Sequence, residues 1–121
     1  MTPEDLKKRT KAFALGIIRL VETLPNTITG RTVSNQLVRA GTSVAANYRA
    51  ACRARTKAEF IAKIGIVVEE ADESAFWLEL IIEAGLLKPS TVEPLIQEAE
   101  ELVKIMSKSR QTARYRRLQQ H

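Results

Sequence analysis

Six carboxylates crowd one stretch of the chain: Glu69, Glu70, Asp72, Glu73, Glu79 and Glu83. Carboxylates at helical spacing inside a helix bundle can hold a pair of metal ions, but such sites draw on Glu-x-x-His pairs. The one histidine, His121, is the last residue and stands far from these acids in sequence. Charge balance against nearby arginines is therefore the expected role of the cluster, and no metal or other cofactor is expected. Cys52 is the only cysteine, so the chain offers it no disulfide partner, and no histidine beside it supplies the base a nucleophile needs. It reads as a small buried helix residue. With no nucleophile–base pair, ligand set or phosphate loop, no enzymatic activity is expected.

The chemistry that remains is electrostatic. The net charge is +5 and the isoelectric point about 9.7, with the charge unevenly spread. No acid occurs between Glu22 and Glu59, where Arg31, Arg39, Arg49, Arg53, Arg55 and Lys57 fall. From Leu102 onward Lys104, Lys108, Arg110, Arg114, Arg116 and Arg117 again meet no acid. Residues 57–84 run the other way, with two lysines against seven acids; that net of −5 leaves +10 on the rest of the chain. Arg49, Arg53, Arg55, Lys57, Arg110, Arg114, Arg116 and Arg117 form the candidate phosphate-binding set. Arg49 and Arg53 are four residues apart and share a helix face, as do Arg110 and Arg114. The alternative is a solvated face that also pairs with the acids of the third helix. No aromatic platform for bases is evident, so binding is expected to be backbone-dominated, salt-sensitive and indifferent to sequence.

These side chains must be carried by helices. The 121 residues suit a single domain. Aromatics make up only 5%, so Ala, Val, Ile and Leu must build the core. Helix one is predicted over residues 3–24, with Thr2 as N-cap, Pro3 at the first position and Glu4 and Asp5 in the first turn. Its stripe is Leu6, Phe13, Ile17, Leu20 and Leu24. Residues 27–30 read as a turn, and helix two as 31–54, with Val33, Leu37, Gly41, Val44, Tyr48 and Cys52 on one side. Gly41 reads as a place where a neighbouring backbone comes close. Helix three is predicted over 57–84 from a Thr56/Glu59 capping box, stopping at Gly85. Its apolar surface exceeds one face: Ile66, Trp77, Leu80 and Ile81 spill beyond it and are the candidate oligomer interface. Helix four, 91–113, opens with a Ser90/Glu93 capping box and Pro94 in its first turn, with a basic tail to 121. Asn47, beside the stripe of helix two, is expected to hydrogen-bond Glu70 or Glu73. The fold class is all-α, an antiparallel up-down-up-down four-helix bundle. No apolar run nears the ~20 residues of a membrane helix, and the N-terminus lacks an apolar signal core, so a cytoplasmic location is expected.

The run Ser34-Asn35-Gln36-Leu37-Val38-Arg39-Ala40-Gly41-Thr42-Ser43-Val44-Ala45-Ala46-Asn47-Tyr48-Arg49-Ala50 resembles helix two of the 23S rRNA-intervening sequence proteins. Thr56-Lys57-Ala58-Glu59-Phe60-Ile61, and Glu69-Glu70-Ala71-Asp72-Glu73 leading to Phe76-Trp77-Leu78-Glu79-Leu80, match two further family segments in order. The resemblance covers roughly residues 4–106. The chain departs at Tyr48-Arg49-Ala50, where many relatives carry an apolar residue, Ala and Glu, which makes this surface more basic. The resemblance implies a four-helix bundle assembled as a homopentamer. A more distant similarity, to the accessory variability determinant of diversity-generating retroelements, implies RNA or DNA as a partner and a protein partner such as a reverse transcriptase. Arg116 and His121 also match the Arg-x-x-x-x-His spacing of certain helical-bundle ribonucleases, a single spacing match in a basic tail that the other segments do not support. Two function classes stay open: nucleic-acid binding through the basic surface, and a structural adaptor acting through a ring.

Overall fold

The computed structural model describes residues 1–119, without the side chains of Arg117 and Gln119; His121 lies outside the described residues. Four helices follow in order: α1 (Pro3–Val21), α2 (Ile28–Cys52), α3 (Lys57–Glu83) and α4 (Pro89–Gln119). Each packs on the next, α1 closes lightly on α4, and the backbones of the diagonal pairs do not approach closely. That is the square an antiparallel up-down-up-down course produces, and it makes the protein an all-α four-helix bundle.

The core follows the predicted stripes except at Leu24 and at Cys52, expected to be buried; both are only partly buried, at the edge of the core. Ile17, Leu37, Val44, Ile64, Leu78, Leu102 and Met106 are all 0% exposed. Burying a side chain of this size contributes about 1.5–3 kcal/mol. The buried polar residues Thr10 and Ser74 are satisfied within their own helices. Thr10 Oγ1 donates to the Leu6 carbonyl and Ser74 Oγ to the Glu70 carbonyl, each at 2.8 Å. Ile81 is also 0% exposed, which corrects its assignment to an oligomer interface. It lies three residues beyond Leu78 on the same face, and because α3 is flanked by both α2 and α4 its buried arc is wide enough to include it.

The helix ends refine the sequence reading. Thr2 and Asp5 form a reciprocal capping box, Asp5 N–H to Thr2 Oγ1 at 3.1 Å and Thr2 N–H to Asp5 Oδ2 at 3.0 Å. α1 ends at Val21 rather than at 24, and residues 22–27 make the connection. α2 starts at Ile28, not 31. Thr27 is its N-cap, accepting the Gly30 N–H at 3.0 Å. Gly30 is required there by space: a Cβ would stand 1.9 Å from the Pro25 carbonyl oxygen. At α3 the box is half made. Glu59 N–H donates to Thr56 Oγ1 at 3.0 Å, but the Glu59 carboxylate takes the N–H of Arg55 instead, at 3.2 Å. α3 stops as expected at Gly85 (φ +70°), with the Leu86 N–H reaching the Ile81 carbonyl at 2.9 Å.

α4 differs most. It opens at Pro89, two residues before the predicted start, so Ser90 lies inside the helix and cannot cap it. Pro94 then falls beyond the first turn, where its missing N–H leaves the Ser90 carbonyl without its i+4 partner. At the other end α4 continues through Arg110 and Arg114 to Gln119, so the segment from 114, expected as a tail, is helical as far as it is described.

Candidate nucleic-acid interface

Alternating helix directions bring the start of α1, the end of α2, the start of α3 and the end of α4 to one end of the bundle. The basic segments of the sequence occupy those four positions. Arg49, Arg53 and Arg55 line one hollow together with Ala46, Ala50 and Glu59. Arg55 and Lys57 also line a cavity of about 550 Å³ whose walls include Leu6, Tyr48, Cys52 and Phe60. Lys108 and Arg116 of α4 border an adjoining hollow that shares Leu6, Phe60 and Ser109 with that cavity. On the α1 side Lys8 and Lys11 meet Arg49 across a groove floored by Ala14, Leu15 and Ala45, and Lys7 lines it too, paired with Glu4 at 2.9 Å. These three lysines were absent from the sequence-derived set. The antiparallel helix order was the signal that would have added them.

Not every predicted cation is equally free. Arg49, Arg53, Arg55, Lys57, Arg114 and Arg116 are exposed, whereas Arg110 is half-buried. Its guanidinium lies over α3, where a Cβ added at Gly65 would stand 3.2 Å from Nη1. The side chain of Arg117 lies outside the described residues. Glu59 is the acid inside the Arg49/Arg53/Arg55 hollow, and it is engaged with the Arg55 backbone.

The acids of α3 sit away from this end. Glu70 and Glu73 meet Arg39 of α2, which donates one guanidinium nitrogen to Glu70 at 3.3 Å and another to Glu73. Arg39, not Asn47, is thus the partner of these carboxylates. Asn47 Nδ2 turns back to the Ser43 carbonyl of its own helix at 2.9 Å. The reason is reach. A short amide beside the helix backbone satisfies itself locally, while a long guanidinium spans the gap to α3. Glu70 lies partly in the α2–α3 seam, and its burial holds its pKa above the ordinary glutamate value even though Arg39 acts in the opposite direction. Among the described residues no group of three His, Cys, Asp or Glu side chains is placed to hold a metal.

Beyond the basic end, the outer face of α3 carries large apolar side chains set among the exposed acids Glu69, Asp72 and Glu79. Phe76 is 51% and Ile66 36% exposed. Trp77 and Leu80 are half-buried, and the Phe76 and Trp77 rings meet edge to face with centroids 5.2 Å apart. Three of the four predicted interface residues therefore have accessible surface, and Phe76 joins them. The Trp77 Nε1–H is buried and has no hydrogen-bond partner among the described residues.

Residues 4–108, nearly the whole bundle, match the family of 23S rRNA-intervening sequence proteins. The chain belongs to this family. The fold agrees at the level of coordinates. The chain is similar to a crystal structure of a protein of unknown function from the S23 ribosomal protein family of Bacteroides thetaiotaomicron VPI-5482. The two are 34% identical with a TM-score of 0.78, over 83% of this chain and 93% of that one. No curated protein sequence matches the chain. The 23S rRNA-intervening sequence family match stops at residue 108, so it includes Arg49, Arg53, Arg55 and Lys57 but not Arg110, Arg114 or Arg116. The α4 part of the basic end lies beyond the matched segment. Among the described residues no helix is long and apolar enough to cross a membrane.

Proposed function

We propose that this family member is a non-catalytic bundle that binds the phosphate backbone of RNA or DNA through its basic end. The observation that carries this reading is the convergence of exposed cations from four chain segments on one end of the fold, while the paired acids of α3 lie elsewhere. Cations so grouped attract a polyanion, and the strength of the attraction depends on salt through counterion release. Fluorescence anisotropy with structured RNA and duplex DNA over a salt series tests it, comparing wild type with an Arg49/Arg53/Arg114/Arg116→Gln variant. Tight binding that weakens steeply with salt and is lost in the variant is the expected result. Absence of binding at low salt overturns the reading.

One observation favours a second role alongside the first. The outer face of α3, with Ile66, Phe76, Trp77 and Leu80, leaves large apolar side chains uncovered, as a subunit contact requires. Assembly into a homopentamer would cover this face and repeat the basic end five-fold. Such a ring could act as an adaptor for a protein partner even if nucleic acid were not its ligand. Light scattering distinguishes ring from monomer.

A further inference from the structure

The basic end is not uniformly charged. Its central cavity, of about 550 Å³, is open to solvent. Its walls are largely apolar, built by Leu6 of α1, Ala51 of α2 and Phe60 of α3. Polar groups enter at defined points. Tyr48, only 4% exposed, lines the wall beside Cys52, and Ser109 of α4 lines the other side. Two hollows adjoin it. One shares Arg55 with it and continues to Arg49 and Arg53; the other shares Phe60 and Ser109 and continues to Lys108 and Arg116. Across the end of the bundle an apolar patch, rimmed by Arg55 and Lys57, lies between two more strongly cationic hollows.

A fully paired duplex presents phosphates to such a surface but nothing to fill its middle. An unpaired nucleotide presents both, a base with a planar apolar face and phosphates on either side of it. We infer that the central cavity takes one unpaired base of a bound strand, against Phe60 and within reach of Tyr48 and Ser109, while the flanking phosphates lie on the Arg49/Arg53/Arg55 and Lys108/Arg116 hollows. This inference deepens the nucleic-acid reading and rests on it. It changes what the protein discriminates: a strand bearing a bulged or single-stranded nucleotide is held more tightly than a continuous duplex. An unpaired base enters without the cost of extrusion, which a paired base must bear.

The test is anisotropy at fixed low salt on three hairpins, prepared as RNA and as DNA. One is fully paired, one carries a single unpaired nucleotide, and one carries an abasic unit at that place. The unpaired nucleotide should tighten binding about tenfold, a typical effect of one stacked base, and the abasic unit should remove the gain. Phe60→Ala should level the three affinities. Ala54→Trp fills the cavity from the loop and should do the same without touching the core, so a folding defect in the first variant does not decide the matter. Equal affinity of wild type for all three hairpins overturns the base site and leaves the basic interface standing. Binding to none of them overturns the interface itself, and the base site with it.

Discussion

The δ-methyl of Ile17 occupies the space a side chain at Gly41 would need. A Cβ built on Gly41 stands 2.4 Å from Ile17 Cδ1, closer than two carbons can approach. Ile17 is completely buried and Gly41 lies opposite it on α2, so one side chain, rather than a neighbouring backbone, dictates the glycine.

Gly41→Ala should therefore lower stability by about 1–3 kcal/mol, the usual cost of overpacking, despite alanine's better helix propensity. Adding Ile17→Val, which removes the offending methyl, should recover part of the loss. Chemical denaturation of the four members of the cycle measures the coupling. Additive effects of the two substitutions would show that the contact is not the cause.

Two carboxyls should act on stability in opposite senses as pH changes. Asp5 is held below the ordinary aspartate pKa, first by the Thr2 backbone N–H and then by the Thr2 hydroxyl. The unfolded chain binds that proton more readily. The stabilisation is thus full above the ordinary aspartate value and lost as pH falls through the lowered folded one. Glu70, raised by burial, contributes stability that is full below the ordinary glutamate value and lost as pH rises through its raised folded one. In thermal melts Asp5→Asn should cost stability at neutral pH and little in acid. Glu70→Gln should raise the melting temperature at neutral pH, a gain that fades in acid. The same sign for both differences would contradict the assignment.

Individual cations should be separable by salt dependence. Neutralising an exposed phosphate contact lowers the slope of log K against log salt by about 0.9 on duplex DNA. Arg49→Gln, Arg53→Gln and Arg114→Gln should each approach that change. Arg110→Gln should fall well short, because its guanidinium is committed to the surface of α3 over Gly65. A full-sized effect at Arg110 would mean that the side chain leaves α3 on binding.

The outer face of α3 and its inner face should respond differently to substitution. In the homopentamer proposed above, Ile66→Lys with Phe76→Lys should reduce the mass seen by light scattering to that of one chain and leave the helical signal intact. Ile81→Ala should instead cost about 2–5 kcal/mol of stability, as large-to-small changes in a packed core do. An unaltered mass in the lysine variant would remove this face from the assembly.

Much of the bundle was legible because its determinants are local. Thr2 and Asp5 carry both halves of a cap within four residues, and Gly85 supplies the positive φ that a helix stop requires. The stripes of α1 and α2 were readable for the same reason. What depended on a second helix was not. The start of α2 hides behind Thr27 and Gly30, poor helix formers whose roles come from a cap and from the Pro25 carbonyl. The carboxylates of α3 were matched to Asn47 although Arg39 reaches them, because sequence spacing gives a residue's face but not its reach. Ile81 was assigned outward since periodicity does not tell how many neighbours share a helix. Of the basic set, charge runs and helix order made Arg49, Arg53, Arg55 and Lys57 legible, whereas the α1 lysines and the commitment of Arg110 to α3 depend on a second helix.

One seam of the square is held differently from the rest. α1 lies along α2 but touches α4 only lightly, and the two are joined there by a two-armed ion pair. Arg9 donates to Glu98 from Nε at 2.7 Å and from an Nη at 2.8 Å. A seam with so few close approaches, held by this ion pair and by Leu95 of α4 seated over Gly16 of α1, opens at less than the cost of global unfolding. Amide exchange should accordingly sort the helices into two classes, α1 surrendering its deuterons to a partial opening and α3 only when the whole molecule unravels.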